Sequence, residues 1–159
     1  MDDDEQILQV RKIKDGTVID HIPVGKVDIV KRILQVKPTD EHYSAENIGK
    51  ENESRRKGFL KIVGRYPTPE EVDVISIVAP TATINYVRNW KIAPDDKYKV
   101  QRPKEIYDWI KCPDIKCVTN TERGVRTEFD VLPLPDDFAQ CRYCDTLIEY
   151  EQLEKHLKI

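Results

Sequence analysis

Cys112-Pro113-Asp114-Ile115-Lys116-Cys117 and, further on, Cys141-Arg142-Tyr143-Cys144 hold all four cysteines of this chain. The spacing is C-x4-C, a gap of 23 residues, then C-x2-C. Two close pairs separated by one loop are how a chain builds a tetrahedral thiolate cage. Thiolates are soft ligands, so zinc is favoured, and four sulfurs close the coordination sphere. A closed sphere has no position for water or substrate, so the metal is expected to be structural. The spacing also divides the chain: the last third is expected to need metal to fold, and the first two-thirds to need none.

At 159 residues the chain has room for one domain or two small ones. A segment of 102–159 is too short for a large core, and a bound metal is a common remedy at that size. The connector from Pro94-Asp95-Asp96 to Arg102-Pro103 is polar, and the boundary is placed there, with domains of 1–101 and 102–159. No apolar run approaches the roughly 20 residues needed to span a bilayer. Met1-Asp2-Asp3-Asp4-Glu5 is acidic where a secretory leader needs positive charge, so a cytoplasmic location is expected. Thiols stay reduced there, and the cysteines read as ligands, not disulfides.

Charge narrows the function. Residues 1–101 carry 17 Lys and Arg against 17 Asp and Glu, and residues 102–159 carry 9 against 12. Zinc with four thiolates would add a further net charge of about −2. A zinc ribbon that binds nucleic acid should show a basic excess, and this one does not. That class remains the alternative function, and a rubredoxin-like redox protein a third, although C-x4-C matches its paired C-x2-C knuckles poorly.

Upstream, residues 7–13 and 17–22 read as strands around an Asp15-Gly16 turn. Val27, Val30, Ile33 and Leu34 share one face of a helix over 26–36, which Lys37-Pro38 stops. Residues 42–48 and 59–63 read as strands. Thr68-Pro69-Glu70-Glu71 is a helix start, with a capping side chain, proline at the first turn and a glutamate three residues on. Residues 81–92 form a long β-branched strand. The order β-β-α-β-β-α-β predicts an α+β, ferredoxin-like domain: a mixed or antiparallel sheet with two helices on one face. A small β zinc-ribbon or rubredoxin-like domain follows, with residues 125–131 and 147–150 as strands and both cysteine pairs on hairpin-like turns.

Asp20-His21 ends the second expected strand, where a carboxylate can accept from a ribose hydroxyl and an imidazole can meet a phosphate. An ordinary polar strand end is the plainer reading. Lys57 and Lys61 share one strand face and could hold a triphosphate, or could simply be solvated. His42 and His156 have no partner at catalytic spacing. With 6 glycines in the chain, a glycine-rich phosphate cradle is hard to build. No Walker loop, nucleophile elbow or H-E-x-x-H occurs, which argues against an enzyme.

Several stretches together resemble the regulatory chain of aspartate carbamoyltransferase. They are Leu8-Gln9-Val10-x-x-Ile13, Gly16-Thr17-Val18-Ile19-Asp20-His21-Ile22-Pro23 and Arg56-Lys57-x-x-x-Lys61-Ile62. Ala79-Pro80-x-Ala82-Thr83-Ile84-Asn85 and the two cysteine pairs complete the set. The resemblance covers nearly the whole chain. It implies a non-catalytic subunit with one structural Zn2+ per chain on Cys112, Cys117, Cys141 and Cys144. It also implies an N-terminal domain that binds CTP, UTP and ATP, with Mg2+ as a candidate companion, and that pairs into a homodimer. Three such dimers would bridge two catalytic trimers, with the zinc domain gripping the catalytic chain, to give allosteric feedback control of pyrimidine biosynthesis. By position the nucleotide site falls on Val10, Ile13, Asp20, His21, Lys61, Asn85, Trp90 and Ile92, with Lys57 close by.

Three departures from the family pattern follow. Trp90 stands where the family has tyrosine, which keeps an aromatic wall and loses a hydroxyl. Asp95 stands where a phosphate-binding lysine is expected, with Lys97 the nearest cation. Asp114, Lys116 and Asp145 bring charge to the expected catalytic-chain contact, in place of amides at the first two positions.

Overall fold

A computed structural model describes residues 11–49 and 56–159. Its first sheet has five strands: β1 (Gly16–Pro23), β2 (His42–Ile48), β3 (Lys57–Val63), β4 (Thr83–Val87) and β5 (Lys97–Lys99). They lie in the order β2-β3-β1-β4-β5, and every pairing is antiparallel. Strand β3 separates β1 from β2, and β1 separates β3 from β4. Each separated pair is therefore parallel and joined through a helix, which makes two interleaved split β-α-β units, the ferredoxin-like arrangement.

Helix α1 (Val27–Ile33) buries Val27, Val30 and Ile33. It stops three residues before the expected end because Gln35 takes a left-handed φ of 51°. The Gln35 amide donates to the Arg32 carbonyl (3.0 Å) and the Val36 amide to the Lys31 carbonyl (3.0 Å). Those two bonds close the last turn as a Schellman motif before Pro38. Helix α2 (Pro69–Val78) begins as its sequence predicts, with the Thr68 side chain accepting from the Glu71 amide. Both helices pack on one face, where Ile19, Ile22, Leu60, Ile62 and Ile84 meet Val30, Leu34 and Ile75 in a single core.

Two strand expectations change. The expected strand over 7–13 falls partly outside the described residues, and its described part, 11–13, is not a strand. The long strand over 81–92 is broken after Val87. Asn89 and Trp90 both take positive φ, 49° and 68°, and a short turn closes between Arg88 and Lys91. Pro94 then opens a 3-10 turn, Pro94–Asp96, and the chain returns as β5. Two consecutive left-handed residues are the signature of a tight hairpin turn, which residue alternation alone does not reveal.

The second sheet, in the order β6-β7-β8-β9, is formed by Glu105–Tyr107, Glu128–Val131, Phe138–Cys141 and Leu147–Glu149. Its core holds Phe129, Ile110, Ile106, Ile148 and Leu153 beside the cysteines. Trp109 and Leu157 touch both cores, so the two sheets share one continuous apolar junction. Among the described residues, no helix is long and apolar enough to cross a membrane.

Candidate functional site

The four cysteines converge although up to 32 residues separate them. Their sulfur atoms all lie within 4.8 Å of one another. The Sγ of Cys112 is 3.5 Å from that of Cys144, and Cys117 is 3.9 Å from Cys141. A tetrahedral ion with metal–sulfur bonds of about 2.3 Å sets sulfurs about 3.8 Å apart, so the cluster fits such an ion. Cys112, Cys117 and Cys141 are buried, and Cys144 is half-exposed.

Each knuckle is fixed by short-range bonds. The Asn120 side chain donates to the carbonyls of Cys112 (2.9 Å) and Asp114 (2.7 Å), closing the first loop. This knuckle does not sit on a hairpin turn as expected. It leads into a single helical turn, α3 (Val118–Thr121), whose Thr119 hydroxyl donates to the Cys117 sulfur at 3.2 Å. The second knuckle does leave a strand: Cys141 ends β8, and Asp145 takes a left-handed φ of 61° to turn the chain back. Burial pushes the Cys112 and Cys141 thiols up. Burial acts the same way on Cys117, but hydrogen bonds from Thr119, Cys144 and Cys141 outweigh it and bring that thiol to about 7. The Cys117 thiolate is thus favoured before metal arrives, and a metal must displace protons from Cys112 and Cys141.

The second candidate site lies on the helix-free face of the first sheet. Alternation along the strands puts Val18 and Asp20 there, and Lys57 and Lys61 beside them. Val18 pairs with Lys61 on one side and Asn85 on the other, while Asp20 pairs with Thr83. Strand β5 sets Lys97 opposite Asn85 and Lys99 opposite Thr83. Asp20, Lys61, Asn85 and Lys97 therefore share one face over two adjacent cross-strand rows.

The register of β1 against β3 slips between Ile19 and Ile22, forming a bulge at Asp20-His21. His21 takes a φ of 57°, its amide donating to the Asp20 Oδ1 at 2.8 Å. The bulge turns Asp20 toward Lys57, whose Nζ lies 3.0 Å from Oδ2. Lys61 reaches the Arg11 carbonyl at 3.2 Å. Burial lowers the Lys61 pKa, partly offset by the Asp20 charge.

The 11–15 segment joins the β4–β5 turn to this face. The Trp90 amide donates to the Lys14 carbonyl (2.8 Å), and the Asn89 amide to the Asp15 carboxylate (2.9 Å). Ile13 is buried, while Trp90 and Ile92 stand exposed. Asn85 is buried, with its amide nitrogen donating to the Val18 carbonyl at 3.2 Å. Val10 lies outside the described residues. Lys99 was not singled out by sequence, although Lys97-x-Lys99 already shows the two-residue spacing of one strand face.

Comparison with known proteins gives two family matches along the chain. Residues 8–101 match the allosteric domain of the aspartate carbamoyltransferase regulatory chain, and residues 104–154 match its metal binding domain. A regulatory chain of aspartate carbamoyltransferase from Halobacterium salinarum is 40% identical over 145 residues, covering 91% of each chain. One from Caldivirga maquilingensis is 37% identical over 155 residues, 96% of this chain and 93% of its own. One from Phocaeicola vulgatus is 34% identical over 159 residues, 100% of this chain and 98% of its own.

Proposed function

The chain belongs to the family of aspartate carbamoyltransferase regulatory chains, and from that premise we propose that it is a non-catalytic subunit which binds a nucleotide on its first sheet and zinc in its second. As a regulatory chain it has a catalytic-chain partner and serves the control of pyrimidine synthesis. The effectors are CTP, UTP and ATP, with Mg2+ as a companion of their phosphates. Dimers form through the N-terminal domain, and three dimers bridge two catalytic trimers in the cytoplasm.

One observation carries the nucleotide reading: Asp20, Lys61 and Asn85 stand on a single sheet face, beside the turn that carries Trp90. Asp20 and Lys61 suit ribose and base edge, the Ile13 and Ile92 backbone suits a pyrimidine's exocyclic amine, and Trp90 supplies a wall. His21 and Lys57 stand on the phosphate side. A ligand here alters distant catalytic chains only if it binds one quaternary state better than another, a coupling of about 1–3 kcal/mol in typical cases.

Zinc, held by the four cysteines, would supply no chemistry beyond fixing the second sheet. Ile115, 82% exposed, and Tyr143, 45% exposed, project from the two knuckles beside Asp114, Lys116 and Asp145. This surface is the proposed catalytic-chain contact, and its charges would make assembly salt-sensitive. Arg142, clustered with Glu105, Glu128 and Asp130, has its charge more than matched. That face repels phosphate, which disfavours a nucleic-acid-binding ribbon.

The test is calorimetric titration of CTP into the zinc-loaded chain, with single-stranded DNA as control. Saturable CTP binding that weakens in Lys61→Ala, with none to DNA, is expected. An unchanged CTP response of the assembled enzyme in both Asp20→Ala and Lys61→Ala would remove the site assignment.

A further inference from the structure

On the helix-covered side, helix α2 leaves the β4–β5 edge of the first sheet partly open. Tyr98 is opposite Ile84, a residue of the core under the helices, so alternation sets Tyr98 and Tyr86 on that same face. Between these two rings and α2 lies a cleft of about 420 Å³, with Pro69 and Val72 as its apolar lining and Asp73 and Gln101 as its polar groups. Lys99 also borders it, but it alternates with Tyr98 along β5 and so belongs to the opposite face of the strand.

The aromatic wall is one connected array. The rings of Tyr66 and Tyr86 lie 5.7 Å apart and those of Tyr86 and Tyr98 5.9 Å apart, each pair edge to face. The hydroxyls of Tyr86 and Tyr98 are 2.8 Å apart, and the Tyr66 hydroxyl donates to the Val87 carbonyl at 2.9 Å. One end of the array already holds a cation. The Arg88 guanidinium lies 4.9 Å from the Tyr66 ring centre and 5.7 Å from that of Tyr86. Asp96 completes the arrangement, its carboxylate accepting from the Arg88 Nε at 3.1 Å. A ring face together with a carboxylate is therefore how this surface holds a guanidinium.

The other end has the same parts and no cation in them. The Asp73 carboxylate is half-buried and has no ion pair or side-chain hydrogen bond among the described residues. Burial and the Glu70 charge raise its carboxyl, with no cation to offset them. Asp73 is near enough to Tyr98 for its charge to add to burial and the Tyr86 hydrogen bond in raising that phenol. A recess of small-molecule size, with aromatic and apolar walls and one unpaired carboxylate, has the composition of an organic-cation site.

We propose that the cleft between Tyr98 and Asp73 binds a small organic cation, a guanidine or primary amine on an alkyl stem, whose charge pairs with Asp73 and whose stem packs on Tyr98 and Val72. The site lies on the opposite face of the sheet from Asp20 and Lys61 and does not depend on the nucleotide reading. Its occupant would tie α2 to Gln101, at the start of the connector between the two sheets.

Calorimetry on the full zinc-loaded chain tests this with agmatine and cadaverine as the guanidine and amine probes, and glutarate as an anion of similar length. Saturable binding of at least one cation is expected, with none of glutarate. Asp73→Asn should weaken it about tenfold, as loss of one charge-assisted contact does. Tyr98→Leu, which keeps apolar bulk and loses the ring, should weaken it about threefold. Tyr98→Phe should bind within about twofold of the unaltered chain, and Asp96→Asn, at the Arg88 end, likewise. Urea midpoints identify a variant that fails to fold, and the Tyr98→Phe and Asp96→Asn pair then still locates the site. Binding of neither cation, equal binding of glutarate, no loss in both Asp73→Asn and Tyr98→Leu, or a tenfold loss in Asp96→Asn would each overturn the assignment.

Discussion

The ammonium of Lys26 lies 2.7 Å from both carboxylate oxygens of Glu154, joining residues 128 apart in sequence. Lys26 is the residue that precedes α1, five positions after the bulge at Asp20-His21. Glu154 lies on the 3-10 segment Tyr150–His156 that packs under the second sheet. Nearby, the Arg32 guanidinium donates to the Ile159 carbonyl at 2.9 Å. An ionic tie therefore flanks the apolar junction of Trp109 and Leu157.

Both partners of that tie are about a third exposed, so its contribution to stability is modest, about 0.5–1 kcal/mol. Glu154→Gln should cost about that much at low salt and less at high salt. The larger expected effect is on communication. In the assembled enzyme Glu154→Gln should blunt the CTP response while CTP affinity of the isolated chain stays unchanged. Inhibition curves set against calorimetry check this, and an undiminished response would assign the tie a structural role only.

Gly58 is fixed by crowding. A Cβ there would stand 2.5 Å from the Val27 Cγ2 and 3.0 Å from the Ala45 carbonyl oxygen. Gly58→Ala should therefore destabilise the first sheet by about 1–3 kcal/mol, as overpacking does. Val27→Ala added to it should cost less than its separate effect, because it removes one of the two clashes. Urea midpoints of the two single variants and the double variant measure that coupling. Strict additivity would mean that the Ala45 backbone alone sets the limit.

Much of this architecture was legible because the sequence signals are local. Thr68-Pro69-Glu70-Glu71 announces α2 through its own capping chemistry, and the two cysteine pairs announce the metal cluster through their spacing. The features that were not legible depend on backbone angles or register. Nothing in the side chain of Trp90 indicates a φ of 68°, and the split of the expected long strand after Val87 rests on Asn89 and Trp90 together, with β5 returning from what reads as a polar connector. The split in turn decides where Lys97 and Lys99 fall, since only the pairing of β5 with β4 puts them on the face of Asp20. The short strand Glu105–Tyr107 and the C-terminal 3-10 segment have too little periodicity to be read, and their positions are set by packing around Phe129 and Leu153.

Lys61 offers a test through protons. Burial disfavours its charged form, so its folded-state pKa lies below the ordinary 10.5. A lysine lowered in this way destabilises the fold while charged, and the effect fades as pH rises through the lowered value. A nucleotide acceptor beside Lys61 favours the cation again. In alkaline buffer just below pH 10.5, CTP binding should therefore take up protons, and its enthalpy should differ between buffers of different ionisation enthalpy. Lys61→Arg, which stays charged throughout, should abolish that part of the difference. A difference of the same size in Lys61→Arg would show that Lys61 is not at the ligand.

The metal cluster predicts how the two sheets part company. The second sheet spans few residues, and its core around Phe129, Ile110 and Leu153 is small. Structural zinc contributes roughly 10–16 kcal/mol of apparent binding energy in small zinc domains, which is ample to decide folding here. Complete removal by a chelator, or by a mercurial that titrates the thiols, should release one zinc per chain. It should also expose Trp109 to solvent, dissociate the chain from its catalytic partner, and leave the first sheet folded. Because burial raises the Cys112 and Cys141 thiols, protons compete with metal, and zinc affinity should weaken progressively as pH falls. Cys144, the half-exposed ligand, should react with the mercurial first. Metal analysis, Trp109 emission and sedimentation follow these steps. A red, iron-loaded preparation would replace zinc with iron in the cage, and an assembly that stays intact after complete metal loss would disconnect the cluster from partner binding.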